Sequence, residues 1–226
     1  MMNVTPESAL NETTYSRVRD KLREDILSGV FKSGVRLRIV DLSNRYGVSQ
    51  MPIREALQQL QGEGLVNLLP HKGASVREVN EKFVSDMYDI RMAIETMLVR
   101  NAVPNMNDSD FNRLVTIEEQ YEKAAEEGDM LLCLKLNESF HKIINNLAQN
   151  EEAIRIIDRH WGLIDSMRQI FGSNRGNDIV NDHRMLLEAL NNRDAEAAAN
   201  ITRDHVIKAK GDLIARFKEA GKSSKA

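Results

Sequence analysis

Apolar residues near the start of the chain recur at the spacing of one helix face. Between Thr14 and Ser28, Val18, Leu22, Ile26 and Leu27 share such a face, and Gly29 follows where a helix would stop. A second, short helix is predicted over Ile39 to Tyr46, with Ile39, Leu42 and Tyr46 turned inward. Gly47 then supplies a tight turn and Val48 an inward anchor. Ser49 suits an N-cap, Pro52 is tolerated in a first helical turn, and Ile53, Leu57 and Leu60 carry a third helix to about Gly62. The period then changes: Leu65 to Leu69 and Ala74 to Val79 are strand-like runs joined by Pro70, His71, Lys72 and Gly73, a hairpin with a basic tip. Helix, helix-turn-helix and hairpin in that order make a winged helix.

The outer face of the third helix shows Gln50, Arg54 and Gln58 four residues apart, all able to hydrogen-bond base edges or phosphates. A solvated helix face could show the same residues, but the adjoining basic wing favours nucleic acid. From Glu81 onward the pattern predicts only helices, six of them, near 81–102, 107–127, 129–148, 151–171, 176–191 and 194–218. Short links between them favour an antiparallel bundle. The fold expected is therefore mainly α, with segment 1–13 loose, a winged helix-turn-helix over 14–79, a helical effector domain over 80–218 and a loose tail over 219–226.

Composition fits two domains. A chain of 226 residues, 29% charged and 42% hydrophobic with 12 Gly and 4 Pro, is an ordinary globular protein rich in helix formers. No apolar run approaches the roughly 18 residues that span a bilayer, and Met1 to Thr14 lacks the regions of a signal peptide. The expected location is the cytoplasm, with no membrane partner. The lone Cys133 excludes an intrachain disulfide and a cysteine-based zinc site. The net charge of −3 is unevenly divided: residues 1–79 hold 11 Lys or Arg against 9 Asp or Glu, and residues 80–226 hold 20 against 25. A basic head on an acidic body suits a DNA-binding protein.

Inside the bundle, polar residues interrupt apolar stripes. Asn137 and His141 share a face with Cys133 and Ile144; His183 lies amid Val180, Leu186, Leu187 and Leu190; His205 lies between Ile201 and Ala209. Three imidazoles and an amide oxygen would make a four-ligand metal shell with positions left for water or an anion. Helical spacing alone leaves open whether they converge or are separate hydrogen-bonded core residues. Arg91 interrupts the stripe of Val84, Met87, Ile94 and Leu98, so it needs an anion inside, either Glu95 one turn on or a ligand carboxylate. Arg168 continues the stripe of Ile157, Trp161 and Ile164 and invites the same two readings, with solvent as a third.

Two stretches resemble known families. Val48-Ser49-Gln50-Met51-Pro52-Ile53-Arg54-Glu55-Ala56-Leu57, with Leu60, Glu63-Gly64-Leu65-Val66 and the wing His71-Lys72-Gly73-Ala74-Ser75-Val76, is similar to the signature of the GntR superfamily of regulators. Leu136-Asn137-Glu138-Ser139-Phe140-His141, Asp182-His183-Arg184 and Asp204-His205 resemble the three ligand motifs of the FadR C-terminal domain, FCD, in its shorter VanR-like form. The resemblance implies a homodimer on a palindromic double-stranded operator, with Arg54 touching DNA and the wing, His71, Lys72 and Gly73, in the minor groove. It also implies a divalent ion, zinc or nickel, on Asn137, His141, His183 and His205, where it would coordinate a small carboxylate effector.

The family usually has arginine at Gln50, and some members have another at Val40; Arg38, Arg45 and Arg77 are the cations placed to compensate. It usually has aspartate at Asn137, and a neutral amide should bind metal more weakly while leaving the ion's charge less cancelled for an anionic effector. The function expected is a metabolite-responsive repressor. The rivals are a helical metallohydrolase built on the three histidines, for which no catalytic residues are evident, and a sensor in which the metal is itself the signal.

Overall fold

The computed structural model describes residues 14–70, 72–172 and 176–223. Segment 1–13, expected to be loose, and His71 at the wing tip lie outside the described residues. The chain divides into two compact units between Val79 and Asn80.

In the first unit, α1 (Thr14–Leu27), α2 (Ile39–Tyr46) and α3 (Gln50–Gly62) enclose an aliphatic core in which Leu22, Ile53, Leu57, Leu60 and Leu65 are fully buried. Gly47 ends α2 at φ 65° and donates its N–H to the Ser43 carbonyl, a left-handed cap that costs a glycine least. Arg23 of α1 grips Glu63, just past α3, through Nε to Oε2 at 2.8 Å and a terminal nitrogen to Oε1 at 2.5 Å. Both side chains are buried, so this fork ties the first helix to the end of the third.

The wing has one strand more than the pattern predicts. Besides β2 (Val66–Leu69) and β3 (Gly73–Val76), the two-residue β1 (Arg36–Leu37) pairs antiparallel with β3, giving the order β1-β3-β2. Two residues are too few to show alternation. Register sets Leu37 opposite Ala74 and Leu69 opposite Gly73. Gly73 has φ +89°, and a Cβ there would lie 2.1 Å from the Leu37 carbonyl oxygen, so the hairpin needs glycine for both torsion and space.

The second unit holds α4 (Glu81–Ala102), α5 (Asp108–Glu127), α6 (Met130–Leu147), α7 (Glu151–Phe171), α8 (Gly176–Asn191) and α9 (Ala195–Ser223), with a 3₁₀ turn over Val103–Asn105. Side chains mark the starts: Asn80, Asn107, Asp129 and Asn150 each accept the backbone N–H three residues on. At Asn107 the bond is reciprocal, Asp110 closing a capping box. α4 lies along α9, while α5 packs on α6 and α8. Leu98, Leu114, Phe140, Trp161 and Leu190 form the aliphatic and aromatic centre. α9 runs on to Ser223 rather than ending near 218, because Phe217-Lys218-Glu219-Ala220 are ordinary helix formers. Among the described residues no helix is long and apolar enough to cross a membrane.

Gly73→Ala should destabilise the folded chain by about 2 kcal/mol or more, since strain at positive φ adds to the clash with backbone. Urea unfolding of the full chain would show it beside Gly62→Ala, which meets open space and should be nearly neutral; equal effects of the two would remove the steric account.

Candidate functional site

Two surfaces hold the residues singled out by pattern. In the first unit Gln50, Arg54 and Gln58 all stand exposed on the outer face of α3. Ser49 occupies the N-cap position without a side-chain capping bond. An open groove of about 420 Å³ runs between α3 and the wing, bordered by Arg54, Gln58, Pro70 and Lys72. Arg36 steadies its rim, Nε donating to the Lys72 carbonyl at 3.0 Å. Arg38 is exposed at the N-cap of α2.

Two residues differ from the expected surface role. Gly73 is buried against Leu37, so it shapes the wing instead of presenting a surface. Arg45 keeps about half its side chain exposed but reaches Asp25 at 3.2 Å, with its guanidinium over the Phe31 ring. Part of its charge therefore serves the fold. Asp25 is buried and also accepts from the Tyr46 hydroxyl at 2.9 Å, and desolvation together with that bond pushes the Tyr46 phenol far up.

In the second unit α6, α8 and α9 each turn one histidine inward. His141, His183 and His205 are all buried, with one nitrogen of each within 4.8 Å of the others. Their ring centroids are 5.2 to 5.5 Å apart. Asn137, one turn before His141, is 1% exposed.

Carboxylates behind two of the rings fix their orientation. Glu118 of α5 takes His183 Nδ1 at 2.6 Å, and Asp182 takes His205 Nδ1 at 3.2 Å while its other oxygen takes Lys208 at 2.5 Å. A carboxylate makes Nδ1 the donor, which leaves the lone pair of a neutral ring on Nε2. Phe140 stacks on His183 at 4.3 Å and holds the ring plane. Burial, then the neighbouring His205 and His183, then Arg91 and Arg168, press the His141 pKa well below the ordinary histidine value. His141 is therefore neutral at pH 7, with its lone pair available.

His141 Nε2, His183 Nε2 and both amide atoms of Asn137 are buried without hydrogen-bond partners. Buried polar atoms are seldom left so. Three imidazole nitrogens and an amide oxygen are also the donor set that suits a divalent zinc or nickel ion, so these residues fit a metal.

Beside the histidines lie two buried arginines. Arg91 donates Nε to Glu95 at 2.6 Å and lies over the Trp161 ring at 4.1 Å, yet both its terminal nitrogens are buried without an acceptor. The structural pair and an available anion fork thus coexist in one side chain. Arg168 is buried, 5% exposed, and with Asn137 lines a cavity of about 70 Å³.

Three acids escaped the sequence reading. Glu118 interrupts the inward stripe of Leu114 and Tyr121, which was a usable signal. Asp182 stood in a quoted motif, but nothing in sequence pairs it with a residue 23 positions on. Asp165 has a buried, unpartnered Oδ1; burial raises its pKa to about 6 against the opposing pull of Arg168.

The sequence matches the gntR family of bacterial regulatory proteins over residues 14–76 and the FCD domain over residues 86–208. It is 28% identical to the uncharacterized HTH-type transcriptional regulator YdhC of Bacillus subtilis over 196 residues, covering 85% of this chain and 86% of that one. It is likewise 28% identical to the probable D-xylose utilization operon transcriptional repressor of Paenarthrobacter nicotinovorans, covering 91% of each. The HTH-type transcriptional repressor RspR of Escherichia coli is 26% identical, covering 90% of this chain and 91% of that one. The fold matches solved E. coli McbR/YncC with a TM-score of 0.66 at 23% identity, over 92% of this chain and 98% of that structure.

A raised aspartate pKa means the folded state holds the proton that the unfolded state releases, so Asp165 lowers stability increasingly as pH climbs from its ordinary 3.8 through about 6. Asp165→Asn should remove this, gaining about 1 to 2 kcal/mol over wild type between about pH 5 and pH 8. Parallel pH profiles in urea unfolding would contradict the assignment.

Proposed function

The chain belongs to the GntR family of bacterial transcription regulators and carries an FCD domain, and from that premise we propose that it is a homodimeric cytoplasmic repressor released from a palindromic operator by a small carboxylate. The observation that carries this reading is the set of buried polar atoms without partners, the Asn137 amide and the Nε2 atoms of His141 and His183, beside the buried cations Arg91 and Arg168. A dry pocket with spare donors and positive charge attracts an anion. The relatives are transcription regulators, and a hydrolase has no support in them.

Two winged helices of a dimer would enter successive major grooves, half-sites about one helical turn apart. α3 lies against base edges through Gln50, Arg54 and Gln58, while Ser49, Arg38, Arg45 and Lys72 hold backbone phosphates, and His71 accompanies Lys72 on the wing. Effector binding in the helical unit biases the separation or freedom of the paired heads, and DNA affinity falls.

Asn137, His141, His183 and His205 would hold a divalent ion, zinc or nickel, whose contribution when bound is Lewis-acid attraction for a carboxylate oxygen. Glu118 and Asp182 modify the expectation drawn from Asn137 alone. Their carboxylates stand directly behind two of the rings, so the charge left uncancelled by the amide is partly offset from the second layer. Asn137 still differs from aspartate in one decisive way, since its Nδ2 can donate to an effector carboxylate that an aspartate would repel. Arg91 offers its two terminal nitrogens to the same carboxylate, and Glu95 holds that guanidinium in place.

Arg54→Ala should weaken specific operator binding by about 1 to 3 kcal/mol, with no loss of thermal stability because the side chain is exposed. Fluorescence anisotropy on the operator would measure it, and unchanged affinity would remove α3 from the interface. Asn137→Asp should tighten zinc or nickel binding and loosen carboxylate binding, read by calorimetry and elemental analysis. A wild-type protein that holds no divalent ion, yet still answers a carboxylate, would show that the histidines meet the ligand directly. Release by metal alone would make the ion the signal.

A further inference from the structure

Resting on the reading that the helical unit takes a carboxylate, we infer that its effector is a small monocarboxylate with a short apolar body, not a sugar acid or other polyhydroxylated acid. The cavity that Asn137 borders is lined mostly by apolar side chains. Asn137 and Arg168 are the amide and the cation of that lining, and Asn137 presents a buried amide with neither atom partnered. Cys133, Leu134 and Ile179 form the walls, all buried and apolar, with Tyr121 and Ala125 beside them. Gly128 and Met130, at the turn between α5 and α6, line the cavity and are themselves exposed, so it reaches the surface there.

An acid entering by that turn with its carboxylate foremost would meet the Arg168 guanidinium and the Asn137 Nδ2, the groups that want an anion. Its remaining atoms would then lie against Cys133, Leu134 and Ile179. Each methylene buried there raises affinity by about four-fold. Each hydroxyl placed there loses water without gaining a partner and lowers affinity by about ten-fold. Size points the same way. A volume of about 70 Å³ is roughly half that of the engineered cavity that admits benzene, so it leaves room for only a few carbons.

Full-length protein would be titrated with acetate, butyrate and gluconate, reading thermal shift and operator release by anisotropy. Butyrate should act at about sixteen-fold lower concentration than acetate, from two added methylenes, and gluconate should not act at all. Ala125→Leu, on the half-buried wall, should raise the butyrate concentration needed about ten-fold and spare acetate. Ile179→Ala should move the optimum to hexanoate, and it tests the cavity independently if the first variant fails to fold. Arg168→Met should abolish the response to every acid. Gluconate acting as well as butyrate, with that response lost in Arg168→Met, would overturn the apolar body while the carboxylate reading stood. Wall variants that leave chain-length preference unchanged would overturn it too. No response to any of these acids would defeat both readings together.

Discussion

Everything in the second unit is arranged around the difficulty of keeping three imidazoles side by side in a dry interior. Rings a little over 5 Å apart cannot all carry a proton, and burial penalises any that does. The structure meets this by anchoring His183 and His205 to carboxylates, while burial and the neighbouring cations hold His141 neutral. The anchors decide helix placement as well. Glu118 joins α5 to α8, and Asp182 joins α8 to α9, so the polar centre holds together elements that the aliphatic core alone would specify less sharply.

Charge in this centre is distributed in pairs with one member incomplete. Arg91 has its counter-ion in Glu95 on one nitrogen only. Asp165, beside Arg168, keeps an oxygen without a donor. Incomplete pairing is costly in a stable core and is the usual mark of a site waiting for a ligand. The first unit shows the opposite habit: Arg23 and Glu63 satisfy one another fully, and Arg45 is drawn toward Asp25.

Periodicity made the architecture legible. Long amphipathic stretches gave the six helices of the second unit, and the change of period after Gly64 gave the hairpin. What periodicity missed was short or non-local. β1 is two residues whose only signal is its partner strand, and α9 continued past its expected end because Lys218, Glu219 and Ala220 favour helix. At the site, His141, His183 and His205 were visible as polar interruptions, yet their convergence came from packing and from resemblance, never from spacing. Glu118 shows the same limit, since its stripe points inward but only the fold sets it opposite His183. The wing glycine was legible as a turn, but the nearness of the Leu37 carbonyl that demands a glycine there depends on the strand that was missed.

Asp182 is the one carboxylate that faces both ways. One oxygen holds a ring in the dry centre, and the other holds Lys208, whose side chain is about half exposed to solvent. The electron-donating power that Asp182 lends to His205 is therefore shared with an amine at the surface. Salt, or any loss of charge on that amine, leaves more of the carboxylate's negative charge for the ring. On the proposed reading, the hold of this centre on a ligand would thus be set in part from outside the protein, by the ionic composition of the water that reaches a single lysine.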